Sequence, residues 1–168
     1  DEAAVSREWD SESNLIALVL GTGARWTMDY DARNLLMRTR DPETPSNVTD
    51  YVYDAARNLK ERTDAKLQRT VWEFDALNRW TTRTFVGGQE TVSYDETGRI
   101  TSASGGGITV ARSYDLEDRL ATQTIANLNR TLTIDYDRSN RRTSLRVNSN
   151  TPQLYAYDQH GRLASLTS

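Results

Sequence analysis

Short runs of strand-forming residues alternate along the chain with two kinds of turn sequence. The runs 99–104, 108–114 and 130–136 are rich in Thr, Val, Ile and Tyr and are too short for stable helices. Turns of one kind are rich in Gly, Asn or Pro, as at 41–47, 86–89 and 104–107, whereas the other kind starts with Asp after an aromatic residue. This alternation predicts a meander of short antiparallel strands.

The aromatic–Asp turn recurs eight times, at spacings of 20 to 23 residues. The pairs are Trp9 and Asp10, Tyr30 and Asp31, Tyr53 and Asp54, Phe74 and Asp75, Tyr94 and Asp95, Tyr114 and Asp115, Tyr136 and Asp137, and Tyr157 and Asp158. Eight of the 14 aromatic residues occupy this one position, which we call the motif aromatic. Two strands per repeat predict about sixteen strands in all.

The stretch from Asp95 to Arg99 shows the chemistry of the turn. Asp at the first position and Gly98 at the fourth are typical of a type I turn, in which the carboxylate accepts a backbone N–H bond. Gly98 supplies the left-handed conformation that a hairpin with a bulge requires. In the other seven copies the fourth turn position holds Ser13, Asn34, Arg57, Asn78, Asp118, Asn140 and Gly161. Arg57 fits this conformation poorly, so we expect its copy to turn differently.

Alternation along the strands predicts one apolar band. The motif aromatics share a face with residues two positions earlier, such as Trp72, Val92 and Ile134. An apolar residue recurs just after the turn, at Leu15, Leu36, Leu59, Trp80, Ile100, Leu120 and Leu163. Because the opposite face and the strand ends are polar, the pattern favours a thin, largely solvated wall over a compact sandwich.

Composition narrows the classes of function. The chain has 168 residues, no cysteine, and 21 basic and 24 acidic side chains, well mixed, for a net charge of −3. The basic residues do not form a stripe of the kind that would indicate a nucleic-acid partner. The longest apolar run, 15–20, is too short to span a bilayer or to form the apolar part of a signal peptide. We therefore expect no membrane insertion by this segment, and if the protein is exported we expect its signal to lie outside this stretch.

The residues that could carry chemistry are better explained by a structural role. Asp–Arg pairs such as Asp95 with Arg99 suggest acid–base work, but a pair that repeats along a ribbon makes no single cleft, so we interpret them as turn clips. His160 occupies a free turn position. We expect no catalytic residue, no metal site and no cofactor. The tryptophans leave open a second hypothesis, a surface adhesion or glycan-binding module with exposed aromatics.

The motif resembles that of the RHS, or YD-repeat, proteins, most closely at 94–100 (YDETGRI) and 157–163 (YDQHGRL). Relatives of this type include Rhs toxins, Tc toxin C-components and teneurins. The resemblance implies a spiralling β-sheet that closes into a hollow shell, which in bacterial members encloses a toxin. It also implies a secreted or cell-surface bacterial protein. No aspartate-bearing self-cleavage motif is present, so the resemblance carries no cleavage or toxic activity to this chain.

The resulting prediction is an all-β fold of antiparallel hairpin repeats in a curved sheet, part of an RHS-type β-shell, and not an enzyme. Residues 1–168 form one YD-repeat region, a segment of a larger shell. The structural motif residues are the aromatic–Asp pairs together with Gly98, Arg99, Arg119, Gly161 and Arg162. Exposed edge strands bind the rest of the shell or another copy of the chain, and the enclosed partner is a polypeptide such as a toxin.

Overall fold

The computed structural model describes residues 5–42 and 47–168, and over these it consists of sixteen β-strands and one 3-10 turn, Ala126–Leu128. In chain order the strands are β1 (Ser6–Trp9), β2 (Leu15–Val19), β3 (Arg25–Tyr30), β4 (Leu36–Arg40), β5 (Val48–Tyr53), β6 (Leu59–Thr63), β7 (Arg69–Phe74), β8 (Trp80–Phe85), β9 (Gly88–Tyr94), β10 (Ile100–Gly105), β11 (Ile108–Tyr114), β12 (Leu120–Ile125), β13 (Arg130–Tyr136), β14 (Arg142–Val147), β15 (Gln153–Tyr157) and β16 (Leu163–Thr167). The predicted all-β fold of hairpin repeats is confirmed. The turn expected at 41–47 lies largely outside the described residues.

The topology is a meander. The strand order in the sheet is the chain order, from β1 to β16. Consecutive strands pair antiparallel, for example β3 with β4 and β13 with β14. The chain divides into two compact units, Asp1–Gln89 and Glu90–Ser168, and the boundary falls inside β9. The repeats continue in both units.

Each aromatic–Asp hairpin contains the same β-bulge. In the sixth hairpin Tyr114 pairs with Leu120, and Ser113 pairs with Thr122, so Ala121 is the extra residue. The register shifts at the same place in all eight hairpins. A bulge increases the local right-handed twist, so this repeated irregularity is part of the repeat rather than a defect in it.

The sheet buries little. Among the described residues only Ala17 and Val92 are buried hydrophobic residues. The motif aromatics from Tyr30 to Tyr157 are half-buried, and the residues just before them, such as Asp29, Glu73 and Ser93, are exposed. Over the residues that the structure describes, burial therefore agrees with a thin two-faced sheet.

Candidate functional site: the joints between repeats

Each repeat begins with a carboxylate that closes its own turn, as Asp95 shows. Its Oδ1 accepts the backbone N–H groups of Thr97 at 3.0 Å and Arg99 at 2.9 Å. Its Oδ2 accepts Nε of Arg99 at 2.6 Å. Two backbone bonds complete the turn, from Gly98 N to Asp95 O and from Asp95 N to Arg99 O. One side chain therefore satisfies backbone donors that a tight turn leaves unpaired.

All eight motif aspartates accept hydrogen bonds from their own turn in this way, an arrangement that we call the aspartate clip. In every copy Oδ1 accepts the backbone N–H of the residue four positions later. In five copies Oδ2 accepts Nε of an arginine at that position, namely Arg79, Arg99, Arg119, Arg141 and Arg162. Asn14 and Asn58 replace that arginine in two copies, and Arg33 in the remaining one lies two positions after its aspartate. The Asp–Arg pairs are thus built into turns.

The fourth position of every turn is left-handed. Gly98 has φ 89° and Gly161 has φ 77°, and the other six copies place non-glycine residues at positive φ. Arg57 also adopts this conformation, at φ 71°, so the expectation that its copy turns differently is wrong. Nη2 of Arg57 donates to the carbonyl of Arg33 at 2.8 Å, and Asp54 still clips its own turn through Asn58. These bonds offset the conformational strain.

A ninth aspartate clip lies between β6 and β7, where sequence analysis expected none. Oδ1 of Asp64 accepts the backbone N–H groups of Lys66 at 2.9 Å and Gln68 at 3.0 Å, and Leu67 has φ 59°. No aromatic residue precedes Asp64, so the repeat motif does not detect this turn. The five-residue spacing from Asp64 to Gln68 between two strand-forming runs is the signal that would have found it.

The clips hold their carboxylates ionised. Partial desolvation alone would raise the pKa of Asp95, but hydrogen bonds from the backbone and guanidinium of Arg99 and from the Thr97 hydroxyl together lower it from 3.8 to about 2. The pKa is also lowered for the other seven motif aspartates. A charged carboxylate at each turn is therefore the form that the fold favours.

Four of the motif tyrosines donate a hydrogen bond to the repeat before them. The hydroxyl of Tyr114 donates to the carbonyl of Ile100 at 2.8 Å, and that of Tyr136 donates to the carbonyl of Leu120 at 3.1 Å. Tyr30 and Tyr157 make the same bond, to Leu15 at 3.1 Å and to Arg142 at 2.9 Å. In each case the acceptor is the residue just after the turn, so every one of these tyrosines reaches back across one strand pair.

The arginine whose Nε donates to the motif aspartate, which we call the clip arginine, lies over the motif tyrosine of the next repeat. The guanidinium carbon of Arg99 lies 4.6 Å from the ring centre of Tyr114. Arg119 lies 4.7 Å from Tyr136, and Arg141 lies 4.8 Å from Tyr157. These distances are typical of cation–π contacts. We call the combination of clip arginine, following motif tyrosine and its carbonyl acceptor the repeat joint.

Polar bonds between turns reinforce the repeat joint. Nη1 of Arg119 donates to the carbonyl of Asp137 and to Oδ1 of Asn140, both at 2.9 Å. Nη1 of Arg99 pairs with Asp118 in the next turn. Where asparagine replaces the clip arginine, the amide of Asn14 donates to Asn34 at 3.0 Å and that of Asn58 donates to Asn78 at 2.9 Å. The turns are therefore linked along one edge of the strands within each unit.

The sequence pattern predicts the members of these joints but not the contact between repeats. It pairs Asp95 with Arg99, and the structure brings these two side chains together. Asp158 and Arg162, both predicted as motif residues, form the same pair. The link from the clip arginine to the next aromatic was not predicted. Its signal is the recurrence of a clip arginine 15 to 17 residues before each of Tyr114, Tyr136 and Tyr157.

The polar faces of the two units differ. Ion pairs cross the strands of the first unit, between Asp29 and Arg40 at 2.7 Å and between Arg38 and Asp50 at 2.5 Å. Hydroxyl pairs take their place in the second unit, at Thr91–Ser104, Ser113–Thr122 and Thr124–Thr131, with oxygen–oxygen distances of 2.8, 2.6 and 3.1 Å. Cross-strand pairs of both kinds stabilise neighbouring strands.

No group of three or more potential metal ligands occurs within residues 5–42 and 47–168. In the same part of the chain no helix is long and apolar enough to cross a membrane. His160 is exposed, and its backbone N–H donates to Asp158 at 2.9 Å. An open concavity of about 730 Å³ lies beside the first two aspartate clips.

Known proteins share this architecture. Residues 88–168 match the family model described as teneurin YD-shell. The crystal structure of TcdB2-TccC3-Cdc42 is similar over 98% of this chain, with a TM-score of 0.55 and 14% identity. The Tc holotoxin pore of Photorhabdus luminescens, with a TccC3 variant, is similar over 98% of the chain, with a TM-score of 0.53 and 14% identity. This chain spans only 11% and 13% of the length of those two chains. No curated protein matches its sequence.

These findings define the class of protein as an all-β sheet built from YD hairpin repeats. The resemblance of the motif to RHS, or YD-repeat, proteins is supported by the YD-shell match over residues 88–168, and the Tc toxin structures share the fold. The fold similarity extends across both units, whereas the family model covers the second.

Proposed function

We propose that this chain is a wall segment of an RHS-type shell that encloses or carries a polypeptide cargo, such as a toxin. The observation that supports this role most directly is the repeat joint, because the same Arg-to-Tyr contact recurs from Arg99 to Tyr114, Arg119 to Tyr136 and Arg141 to Tyr157. A repeat that bonds to the next repeat in the same way can be added many times over, and a wall requires such extension. Its role is structural rather than catalytic.

In this proposal residues 1–168 act as one YD-repeat region within a larger shell. The motif aromatics, the aspartate clips and the clip arginines are its structural elements, and the edge strands bind the rest of the shell. The wall works by containment, since a continuous hydrogen-bonded sheet keeps solvent and proteases from the cargo. We place the protein outside the cell or on its surface, in a bacterium. The fold shared with Tc toxin complexes supports this placement.

The test requires a complete shell. The part of the TcdB2-TccC3 complex that superposes on this chain is replaced by residues 1–168, and a protease-sensitive reporter is fused at the cargo end of the shell. We expect the reporter to resist added protease in this chimaera as it does in the parent complex. A matched chimaera with Arg99, Arg119 and Arg141 changed to Ala tests whether the repeat joints matter. Digestion of the reporter while the wall stays intact would contradict containment.

A groove in the first unit favours the second candidate function, glycan binding. The groove has a volume of about 420 Å³ and is lined by Trp26, Thr39, Thr49, Asp64 and Gln68 among others. Aromatic faces stack on sugar rings, while carboxylate, amide and hydroxyl groups bond to sugar hydroxyls. Trp26→Ala would abolish binding on an oligosaccharide array, whereas Trp9→Ala, outside the groove, would leave it unchanged. Equal loss in both variants, or no binding at all, would argue against this function.

A further inference from the structure

An apolar groove lies on one face of the second unit, at the ends of β12 to β14 that are away from the aspartate clips. It has a volume of about 220 Å³ and is lined by Gln123, Ile125, Arg130, Thr131, Leu132 and Val147. The register brings these residues together, since Ile125 pairs with Arg130 and Leu132 pairs with both Gln123 and Val147. Because residues two apart on a strand share a face, these five lie on one side of the sheet. We call this site the second-unit groove.

The second-unit groove is open within the described part of the chain. β15 pairs with β14 at Ser144 and Leu145, so that pairing stops two residues before Val147. Val147 is 36% exposed, and Arg130 is exposed as well. Leu128, in the turn that joins β12 to β13, is 57% exposed. The groove therefore presents apolar side chains that no other described element of the second unit covers.

Arg130 gives the groove a preference for negative charge. None of the six lining residues is acidic. Within residues 5–42 and 47–168 Arg130 forms no ion pair, whereas Arg119 and Arg141 each pair with an aspartate. Oε1 of Gln123 already accepts Nε of Arg112 at 3.0 Å, which leaves the amide nitrogen of Gln123 as a donor. The groove thus combines apolar walls with two donors, a combination that suits an apolar group beside a carboxylate.

The size of the groove indicates the kind of partner. Sites for small molecules usually enclose about 300–1,000 Å³. A volume of about 220 Å³ therefore suits a single side chain better than a whole small molecule or a lipid chain. Insertion of one apolar anchor side chain into a pocket is a common way for polypeptides to dock.

We propose that the second-unit groove is a docking site for a polypeptide segment in which an apolar side chain neighbours an acidic one. The apolar side chain contacts Ile125, Leu132 and Val147, and the carboxylate pairs with Arg130. This inference goes beyond the proposed wall role, because a wall that only encloses its cargo requires no such site.

Fluorescence anisotropy of labelled peptides on the full chain tests the proposal. We expect binding of a peptide of Leu-Glu repeats, and binding at least about tenfold weaker for peptides of Leu-Lys or Ser-Glu repeats of the same length. No binding of the Leu-Glu peptide, or equal binding of all three, would overturn the proposal. Decanoate has the same apolar and carboxylate groups, so binding of decanoate without the peptide would overturn the polypeptide as the occupant.

Matched variants locate the binding. Arg130→Ala should weaken binding of the Leu-Glu peptide by roughly two- to fivefold. Arg146→Ala removes the same charge from an exposed residue that pairs with Thr133 on the opposite face, and it should leave binding unchanged. Val147→Ser should weaken binding by roughly three- to tenfold, with circular dichroism confirming a folded sheet. Equal weakening by the two arginine variants would show unspecific charge attraction and overturn the site. The protease test of the chimaera is independent, so the wall role would stand without this site.

Discussion

The guanidinium carbon of Arg119 lies 4.7 Å from the ring centre of Tyr136, which belongs to the next repeat. The same arginine donates Nε to Asp115 at 2.7 Å and Nη1 to the carbonyl of Asp137 at 2.9 Å. One side chain therefore closes its own turn and contacts the ring and the turn that follow. Since Ala17 and Val92 are the only buried hydrophobic residues in the described part of the sheet, such contacts carry a larger share of stability than they would in a globular domain.

Replacing Arg119 tests this link. We expect Arg119→Ala to destabilise the pairing of β12 with β13 by about 1–2 kcal/mol, or roughly 5- to 30-fold in the local opening equilibrium. Hydrogen exchange of amides in those two strands measures this effect directly. Arg138→Ala removes an exposed arginine from the adjacent turn and should change stability by less than about 0.5 kcal/mol. Equal exchange in the two variants would show that the repeat joint is not stabilising.

The tyrosine hydroxyl is tested separately. Tyr136→Phe keeps the ring under Arg119 but removes the hydrogen bond to the carbonyl of Leu120, which is 3.1 Å long. We expect a loss of about 0.5–1.5 kcal/mol, again in β12 and β13. Tyr155→Phe is the matched control, because its hydroxyl contacts only Gln153 of its own strand, at 3.3 Å, among the bonds described. A loss of stability of the same size in the control would mean that the hydrogen bond from Tyr136 to the carbonyl of Leu120 does not stabilise the pairing of the two strands.

Sequence predicted most of the local structure because the repeat encodes it locally. The Asp95-to-Arg99 turn needs only residues within five positions, so its clip and its left-handed Gly98 could be inferred from composition and spacing. The strand number follows from the count of motifs. Both predictions agree with the structure.

Contacts between repeats could not be predicted in the same way. Whether Arg99 reaches Tyr114 depends on the register of β10 against β11 and on a bulge in each hairpin, which no single residue signals. Arg57 was misjudged for a related reason. Its intrinsic preference disfavours positive φ, but a bond to the carbonyl of Arg33 and the clip of its own turn override that preference.

The lowered pKa values of the motif aspartates predict acid sensitivity. A carboxyl group whose pKa is lower in the folded chain stabilises the fold above the unfolded pKa, about 3.9, and that stability is lost as pH falls through the folded value. For Asp95 the folded pKa is about 2. Because all eight motif aspartates are shifted in the same direction, we expect Tm to be nearly constant from neutral pH to about 5 and to fall steeply between about 4 and 2.

Circular dichroism melts at a series of pH values measure this fall. Asp95→Asn should be less stable than the unmodified chain at neutral pH, and the difference should vanish near pH 2, where Asp95 of the unmodified chain takes up its proton. A Tm that stays constant down to pH 2 would show that the clips do not depend on charge.

The ninth turn offers a site where a substitution should stabilise the chain. Leu67 is 84% exposed and sits at φ 59°, a conformation that costs a non-glycine residue about 1–2 kcal/mol. Glycine removes that strain but increases the freedom of the unfolded chain, so we expect Leu67→Gly to stabilise by roughly 0.5–1 kcal/mol. Leu77 is 67% exposed in the next turn and is not among the residues at positive φ, so Leu77→Gly should destabilise. Urea titration followed by tryptophan fluorescence measures both, since the tryptophans at 9, 26, 72 and 80 all lie in the first unit. If the two variants shifted stability in the same direction, the left-handed conformation of Leu67 would not be the source of strain.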